Sequence, residues 1–327
     1  MDISDKQLKF FDSPLITEFD EAITYIRDVN FEKALEIMEK VLIENDRFPG
    51  VIEAIKSIKF WQNRWLKIMM APKGKEQAEV FFSEWENYLK FIKSFENNEN
   101  FEKIFIAFKN LIYKRIIENL IFEFEQSEIL SLDLLKKLGK IFFEIEDYKN
   151  AIEIMEYAYG FNKRDSFIIS ILADSYYLTG EEDRALILYR EAFFYEPEKI
   201  ELNILKSEPI KFLKEIALSE GIKNEYLNEW IGVLGIVLNV FNQRNNLTPE
   251  DVNKIEIEIK DLESKLANGG IKFEILKPRL IYRYLLLIEY YFYQISNRDF
   301  ARIYLTKLKG IDINIYNRYI KLLNLKE

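Results

Sequence analysis

From Leu132 to Lys199 the apolar positions recur at helical spacing in two consecutive blocks that share one pattern. In the first block Leu135, Leu138, Gly139 and Phe142 share one face of a predicted helix. The polar turn Glu146-Asp147 follows, and Tyr148, Ala151, Met155 and Ala158 mark a second helix. A shift of 34 residues (185 minus 151) brings Ile169, Leu172, Ala173 and Tyr176 into the first set, and Glu182, Ala185, Tyr189 and Ala192 into the second. Gly139 or Ala173 facing Ala151 or Ala185 lets two antiparallel backbones approach closely, with aromatics filling the flanks. Gly180 ends a helix, Glu181-Glu182-Asp183 makes an acidic first turn, and Pro197 supplies a rigid turn after the second helix.

Two fainter copies flank this segment. One sets Ala22 and Tyr25 before Phe31-Glu32-Lys33-Ala34-Leu35, continues through Met38 and Val41, and closes at Phe48-Pro49. The other sets Leu285, Ile288 and Phe292 before Asp299-Phe300-Ala301, with Glu289 where a small residue is expected. Between the copies, helices are predicted over 50–70 and 76–95 and from the break at 97–100 to 126, with another break at 72–74. After Pro197 come short helices at 200–205 and 209–218 and an apolar helix at 225–241. A further helix starts at Thr248-Pro249-Glu250-Asp251 and stops at Gly269-Gly270. The helix over 249–266 keeps only a thin apolar stripe (Val252, Ile255, Ile259, Leu262, Leu266) and is expected on the outside. Residues 280–295 are apolar on most sides and are expected to be covered.

The two blocks resemble the tetratricopeptide-repeat family. The resemblance implies an all-α fold, a right-handed superhelical solenoid of antiparallel helix pairs with divergent N- and C-terminal helical regions. It divides the chain into a divergent repeat over 1–50, helical hairpins without the motif over 51–130, two tandem repeats over 131–199, and a C-terminal helical region over 200–327 with a further hairpin at 280–310. It also implies that the first helix of each repeat lines a concave face that holds a protein or peptide partner. That face would carry Lys136, Lys140, Phe143, Ser170, Asp174 and Tyr177, with Phe143 and Tyr177 as apolar walls and the lysines suiting an acidic ligand. One branch of the family grips the C-terminal carboxylates of heat-shock chaperones through asparagines and lysines; here Lys140 and Asp174 stand in place of the asparagines. The abundance of Ile, Lys, Asn and Phe with divergent repeats also resembles the tetratricopeptide proteins of the flagellar collar in bacteria with periplasmic flagella. That likeness implies a structural subunit of a larger assembly, near the cytoplasmic face of the inner membrane.

Composition narrows the chemistry. Only 11 Gly and 7 Pro in 327 residues argue against a turn-rich sheet protein, while 49% hydrophobic residues supply a core. Cys and His are both absent, which excludes disulfides, thiol nucleophiles, thiolate or imidazole metal sites and any histidine-based triad. No phosphate-binding glycine motif or EF-hand loop occurs, so neither a cofactor nor a metal is expected, and a non-catalytic scaffold is preferred over an enzyme using carboxylate, lysine or tyrosine chemistry. A net charge of −9 disfavours nucleic acid as a partner. The opening Met1-Asp2-Ile3-Ser4-Asp5-Lys6 has neither a basic nor an apolar leader segment, which predicts a cytoplasmic location.

Three groups of residues have an alternative reading. Phe60, Trp61, Trp65 and Met69 beside Lys56, Lys59, Arg64 and Lys67 suit either a core stripe with a solvated rim or peripheral contact with a membrane surface. The acidic groups Glu144-Glu146-Asp147 and Glu181-Glu182-Asp183 lie where helices begin, which accounts for them without catalysis. The aromatic C-terminal helices offer a surface for oligomer formation.

Overall fold

The computed structural model describes residues 14–127, 131–267 and 273–323, and every regular element in them is helical. The chain divides into two compact units, Met1–Ser131 and Leu132–Glu327.

In the first unit, α1 (Pro14–Arg27) and α2 (Phe31–Glu44) form a hairpin, followed by α3 (Val51–Met69), α4 (Lys75–Phe91) and the 29-residue α5 (Glu99–Ser127). The aromatic stripe of α3 is core: Phe60 and Trp61 are buried, and the Trp61 ring lies 5.3 Å from Tyr88 and 6.0 Å from Phe108. Met69 and the cationic side chains form the rim of that stripe. Gly74 enters α4 at φ +108°, and its N–H donates to Asn119 Oδ1 on α5 at 2.9 Å, fixing the α3–α4 corner.

In the second unit, α6 (Leu132–Glu144) pairs with α7 (Tyr148–Phe161), and α8 (Ser166–Leu178) with α9 (Glu182–Tyr195). Then come α10 (Glu208–Ser219), α11 (Leu227–Val237), α12 (Pro249–Ala267), α13 (Phe273–Glu289), a π-turn (Tyr290–Gln294), α14 (Arg298–Ile311) and α15 (Ile313–Leu322). Among the described residues no helix is long and apolar enough to cross a membrane.

One turn recurs four times. Val29, Glu146, Gly180 and Ser296 all take positive φ, and each is followed by the residue that caps the next helix: Asn30, Asp147, Glu181 or Asn297. The capping N–H closes back on the preceding helix, Asn30 to Tyr25, Asp147 to Phe142 and Glu181 to Tyr176, five residues behind, satisfying carbonyls the helix end leaves open. Asn297 reaches six back to Tyr291, because the π-turn inserts a residue. Each cap opens a helix of 14 residues that ends on Asn45, Asn162, Glu196 or Asp312, giving one cap-to-cap spacing of 15 (45 − 30, 162 − 147, 196 − 181, 312 − 297). The fourth residue of every such helix is a buried alanine: Ala34, Ala151, Ala185, Ala301. The same hairpin chemistry therefore occurs in α1–α2, α6–α7, α8–α9 and the α13–α14 junction.

Most of the repeat positions read from the sequence are buried: Leu135, Leu138, Gly139, Met155, Ala158, Ile169, Leu172, Ala173, Tyr176, Tyr189, Ala192 and Pro197. Phe142 and Tyr148 are half-buried. A Cβ on Gly139 would come within 2.6 Å of the Met155 side chain, which is the close approach that a small residue permits. Ser166 ties the ends of α8 and α9 together: its Oγ donates to Ala192 O at 2.7 Å and accepts from Glu196 N at 2.8 Å.

Three expectations need correction. Of the run 280–295 expected to be covered, Tyr293, Gln294 and Ile295 are exposed. Residues 200–205 are not helical; they form a turn-bearing connection between Pro197–Lys199 and α10. The apolar helix expected over 225–241 ends at Val237, and Phe241 folds back onto Gly235. The Gly269-Gly270 stop lies outside the described residues.

Candidate functional site

The face formed by α6 and α8 was the predicted partner surface, and residues 200–207 cross it. Ile200, Leu202 and Leu205 are buried. Asn228, at the start of α11, holds the beginning of the segment by donating its amide to Pro197 O and Ile200 O, each at 2.7 Å. Lys140 on α6 pairs with Glu201 at 2.5 Å, and Lys206 reaches Glu146 at 3.0 Å while lying over the Phe143 and Tyr148 rings.

The far end of the segment is fixed by Asp174, which is fully buried on α8. Its carboxylate accepts the main-chain N–H of Lys206 at 2.5 Å, that of Ser207 at 3.2 Å, and the hydroxyl of Tyr189. Ser207 Oγ sits 2.6 Å from the same hydroxyl. Burial, then the neighbouring Asp174 charge, pushes the Tyr189 phenol well above its ordinary pKa, so it stays a donor. A buried carboxylate served by three donors is the arrangement a desolvated charge requires.

The expected groove residues therefore divide. Phe143, Ser170 and Asp174 are buried and offer no side chain to a free partner, because residues 200–207 cover Phe143 and Asp174 and Ser170 Oγ donates to Phe167 O within its own helix. Lys136 and Lys140 are half-buried and already paired, Lys136 with Asp165 at 2.8 Å. Tyr177 stays half-buried; burial, with Glu182 and Glu208 nearby, raises its pKa.

The chain matches no protein-family model, and no curated protein matches it.

A second feature of this unit was not legible from spacing. A cavity of about 520 Å³ lies among α9, residues 244–247, α12 and α13. Five cationic side chains line it: Arg164, Arg190, Arg244, Lys254 and Arg283. Glu191, Asp251 and Glu258 also line it. Arg190 is buried, pairs with the buried Glu289 of α13 and donates to Phe241 O at 3.0 Å. Tyr282 donates to Arg190 O at 2.8 Å, so α9 is bound to α13 by side chain and main chain together. Glu191 accepts from Asn245 Nδ2 at 3.1 Å and from Tyr159 at 3.4 Å; burial raises its pKa in spite of those two donors. Among the described residues no group of three or more carboxylates is placed to hold a metal ion. The hint in the sequence was Glu289 inside an apolar run, a charge that burial permits only with a partner.

Proposed function

We propose that the chain is a non-catalytic scaffold or adaptor of tetratricopeptide-repeat type, whose α6–α9 hairpins stack as a right-handed superhelical solenoid and bind a protein or peptide partner. The observation that carries this reading is the non-helical, turn-bearing segment 200–207 on the first-helix face, held by hydrogen bonds from its main-chain N–H groups to Asp174, by the Lys140–Glu201 pair and by three buried apolar side chains. Peptides are held in grooves by main-chain bonds and side-chain pockets together. The recurring turn with its 15-residue cap spacing supports the repeat assignment. A partner peptide would reach this face by displacing 200–207.

The test is quantitative capture by the intact chain, compared with the double variant Lys136→Glu, Lys140→Glu. A stoichiometric partner lost in the variant supports the reading. A partner retained by the variant moves the contact off this face. Absence of any stoichiometric partner sinks the scaffold reading.

A second reading, a structural subunit of a larger assembly, is favoured by the exposed Phe300 and Ile303 on α14, with Tyr293 and Ile295 just before it. Light scattering that finds only monomer across a wide concentration range would remove self-assembly from it.

A further inference from the structure

Phe60 and Trp61 make one side of α3 core, and the opposite side faces solvent. Ile52, Lys56, Lys59, Asn63, Leu66 and Met70 are all exposed and follow one another at alternating steps of four and three residues, which puts them in a single outward row, with the exposed Lys67 at its edge. Past the helix, Pro72, Lys73 and Lys75 continue the exposed surface. Residues 51–75 hold six basic side chains against the one carboxylate of Glu53, a formal +5 (6 − 1) in a chain whose net charge is −9. Arg64 is matched by Glu84 at 3.1 Å. Lys59 and Lys75 have only exposed carboxylates beside them, Glu39 at 3.1 Å and Glu79 at 3.9 Å, pairs that solvent screens. Lys56, Lys67 and Lys73 have no carboxylate partner among the described residues; Lys56 lies over the Phe95 ring at 5.4 Å and Lys73 over the Phe122 ring at 4.4 Å.

Apolar tips stand among these cations. Leu66 is 74% exposed and Met70 82%, and both lie outside the cavity that Met69 lines with α5. The row from Ile52 to Met70 runs about 27 Å along the helix, at about 1.5 Å per residue. A straight row of spaced lysines with flexible apolar side chains at its end has no concave shape to fit a folded partner. It suits a surface that offers phosphates in a plane and yields to inserted side chains, because lysine stems can lie on apolar material while their ammonium groups reach outward. We propose that this row docks α3 flat on a bilayer surface that carries anionic phospholipid, with Lys56, Lys67 and Lys73 at the phosphates and Leu66 and Met70 in the headgroup–acyl boundary. The rest of a negatively charged chain is repelled by such a surface, so the row also sets which side of the first unit faces it. This surface belongs to the first unit, whereas the partner face on α6 and α8 belongs to the second, and the two readings stand or fall separately.

The test floats the full chain with vesicles of phosphatidylcholine alone and of phosphatidylcholine mixed with phosphatidylglycerol, at low and at high salt. The expected result is saturable binding to the mixed vesicles that falls as salt rises and is at least about tenfold weaker on phosphatidylcholine alone. Lys56→Gln, Lys67→Gln and Lys73→Gln together should weaken binding by about tenfold or more and leave Tm in place, since all three positions are exposed and without an ion pair. Lys163→Gln, Lys260→Gln and Lys321→Gln together remove the same charge from exposed positions of the second unit and should leave binding as it was. Leu66→Ser with Met70→Ser should weaken binding at both salt concentrations. The proposal is overturned if the mixed vesicles do not bind, if phosphatidylcholine alone binds as well, if either variant of the row binds like the native chain, or if the second-unit variant loses as much as the lysine variant of the row. Soluble polyglutamate binding as tightly as the mixed vesicles would make the occupant an acidic polypeptide and overturn it too.

Discussion

Replacing Asp174 by asparagine keeps the shape of the side chain but removes its charge and turns one acceptor into a donor. Three donors converge on the native carboxylate: Tyr189 hydroxyl, Lys206 N and Ser207 N. Tyr189 retains Ser207 Oγ at 2.6 Å, and Lys206 is only half-buried, so solvent can serve it. Ser207 is 1% exposed and its N–H reaches both carboxylate oxygens, at 3.2 and 3.3 Å, so asparagine still accepts it but sets its own buried NH2 against the Lys206 N–H or the Tyr189 hydroxyl. An unpaired buried donor costs about 1–3 kcal/mol, and bonds to a charged acceptor are stronger than neutral ones. The expected loss is therefore about 2–3 kcal/mol for Asp174→Asn. Ser170→Ala should cost less than about 1 kcal/mol, since Ser170 only bonds within its own helix. Because the chain forms two compact units, a global unfolding signal would mix them. Trp230 is the single tryptophan of the second unit, so urea unfolding followed by fluorine NMR of 5-fluorotryptophan-labelled protein isolates the relevant transition. Equal midpoints for Asp174→Asn and Ser170→Ala would refute the argument that Asp174 secures the segment.

Gly232→Ala should destabilise the second unit by about 1–3 kcal/mol, because its Cβ would lie 2.5 Å from the Tyr282 ring and 2.8 Å from Phe193 Cβ; Gly160→Ala, with nothing within 4 Å, should be neutral or stabilising in the same melt. Arg190→Met leaves the buried Glu289 only the longer pair with Arg244 at 3.7 Å and should cost up to about 3–5 kcal/mol in urea titration, whereas Arg190→Met with Glu289→Leu should recover most of that; a double variant no better than the single one would contradict the pairing. Burial raises the pKa of Glu191 in the folded chain, so its contribution to stability is present at low pH and is lost as pH climbs through the raised value. Glu191→Gln should accordingly raise Tm near about pH 7 and leave it unchanged near about pH 4. A rise of equal size at both pH values would show the effect is not ionisation.

The hairpins were legible in the sequence because their determinants are local. Small residues at fixed offsets, a cap and a helix-ending turn lie within one repeat, and the spacing that exposed Ala151 and Ala185 also finds Ala34 and Ala301. Residues 200–205 misled because Ile200, Leu202 and Leu205 carry enough apolar character for a short helix. Asn228, from a distant helix, takes Ile200 O, which a helix would have used, and Asp174 takes the N–H groups of Lys206 and Ser207 just beyond. That same capture hides Phe143 and Asp174, which spacing alone puts on an open face. Glu289 looked like a defect in the C-terminal copy; its partner Arg190 lies 99 residues away, a separation periodicity does not reach. The cavity draws on residues from Arg164 to Leu286, for the same reason.

Hydrogen exchange resolved at single amides tests most directly whether the repeat face holds residues 200–207. Lys206 and Ser207 lie outside any helix, yet their N–H groups should exchange at least about a hundredfold more slowly than in an unstructured peptide. Protection at both should collapse in Asp174→Asn while the amides of α8 stay slow. Exchange of Lys206 and Ser207 at the unstructured rate in the native chain would contradict the account.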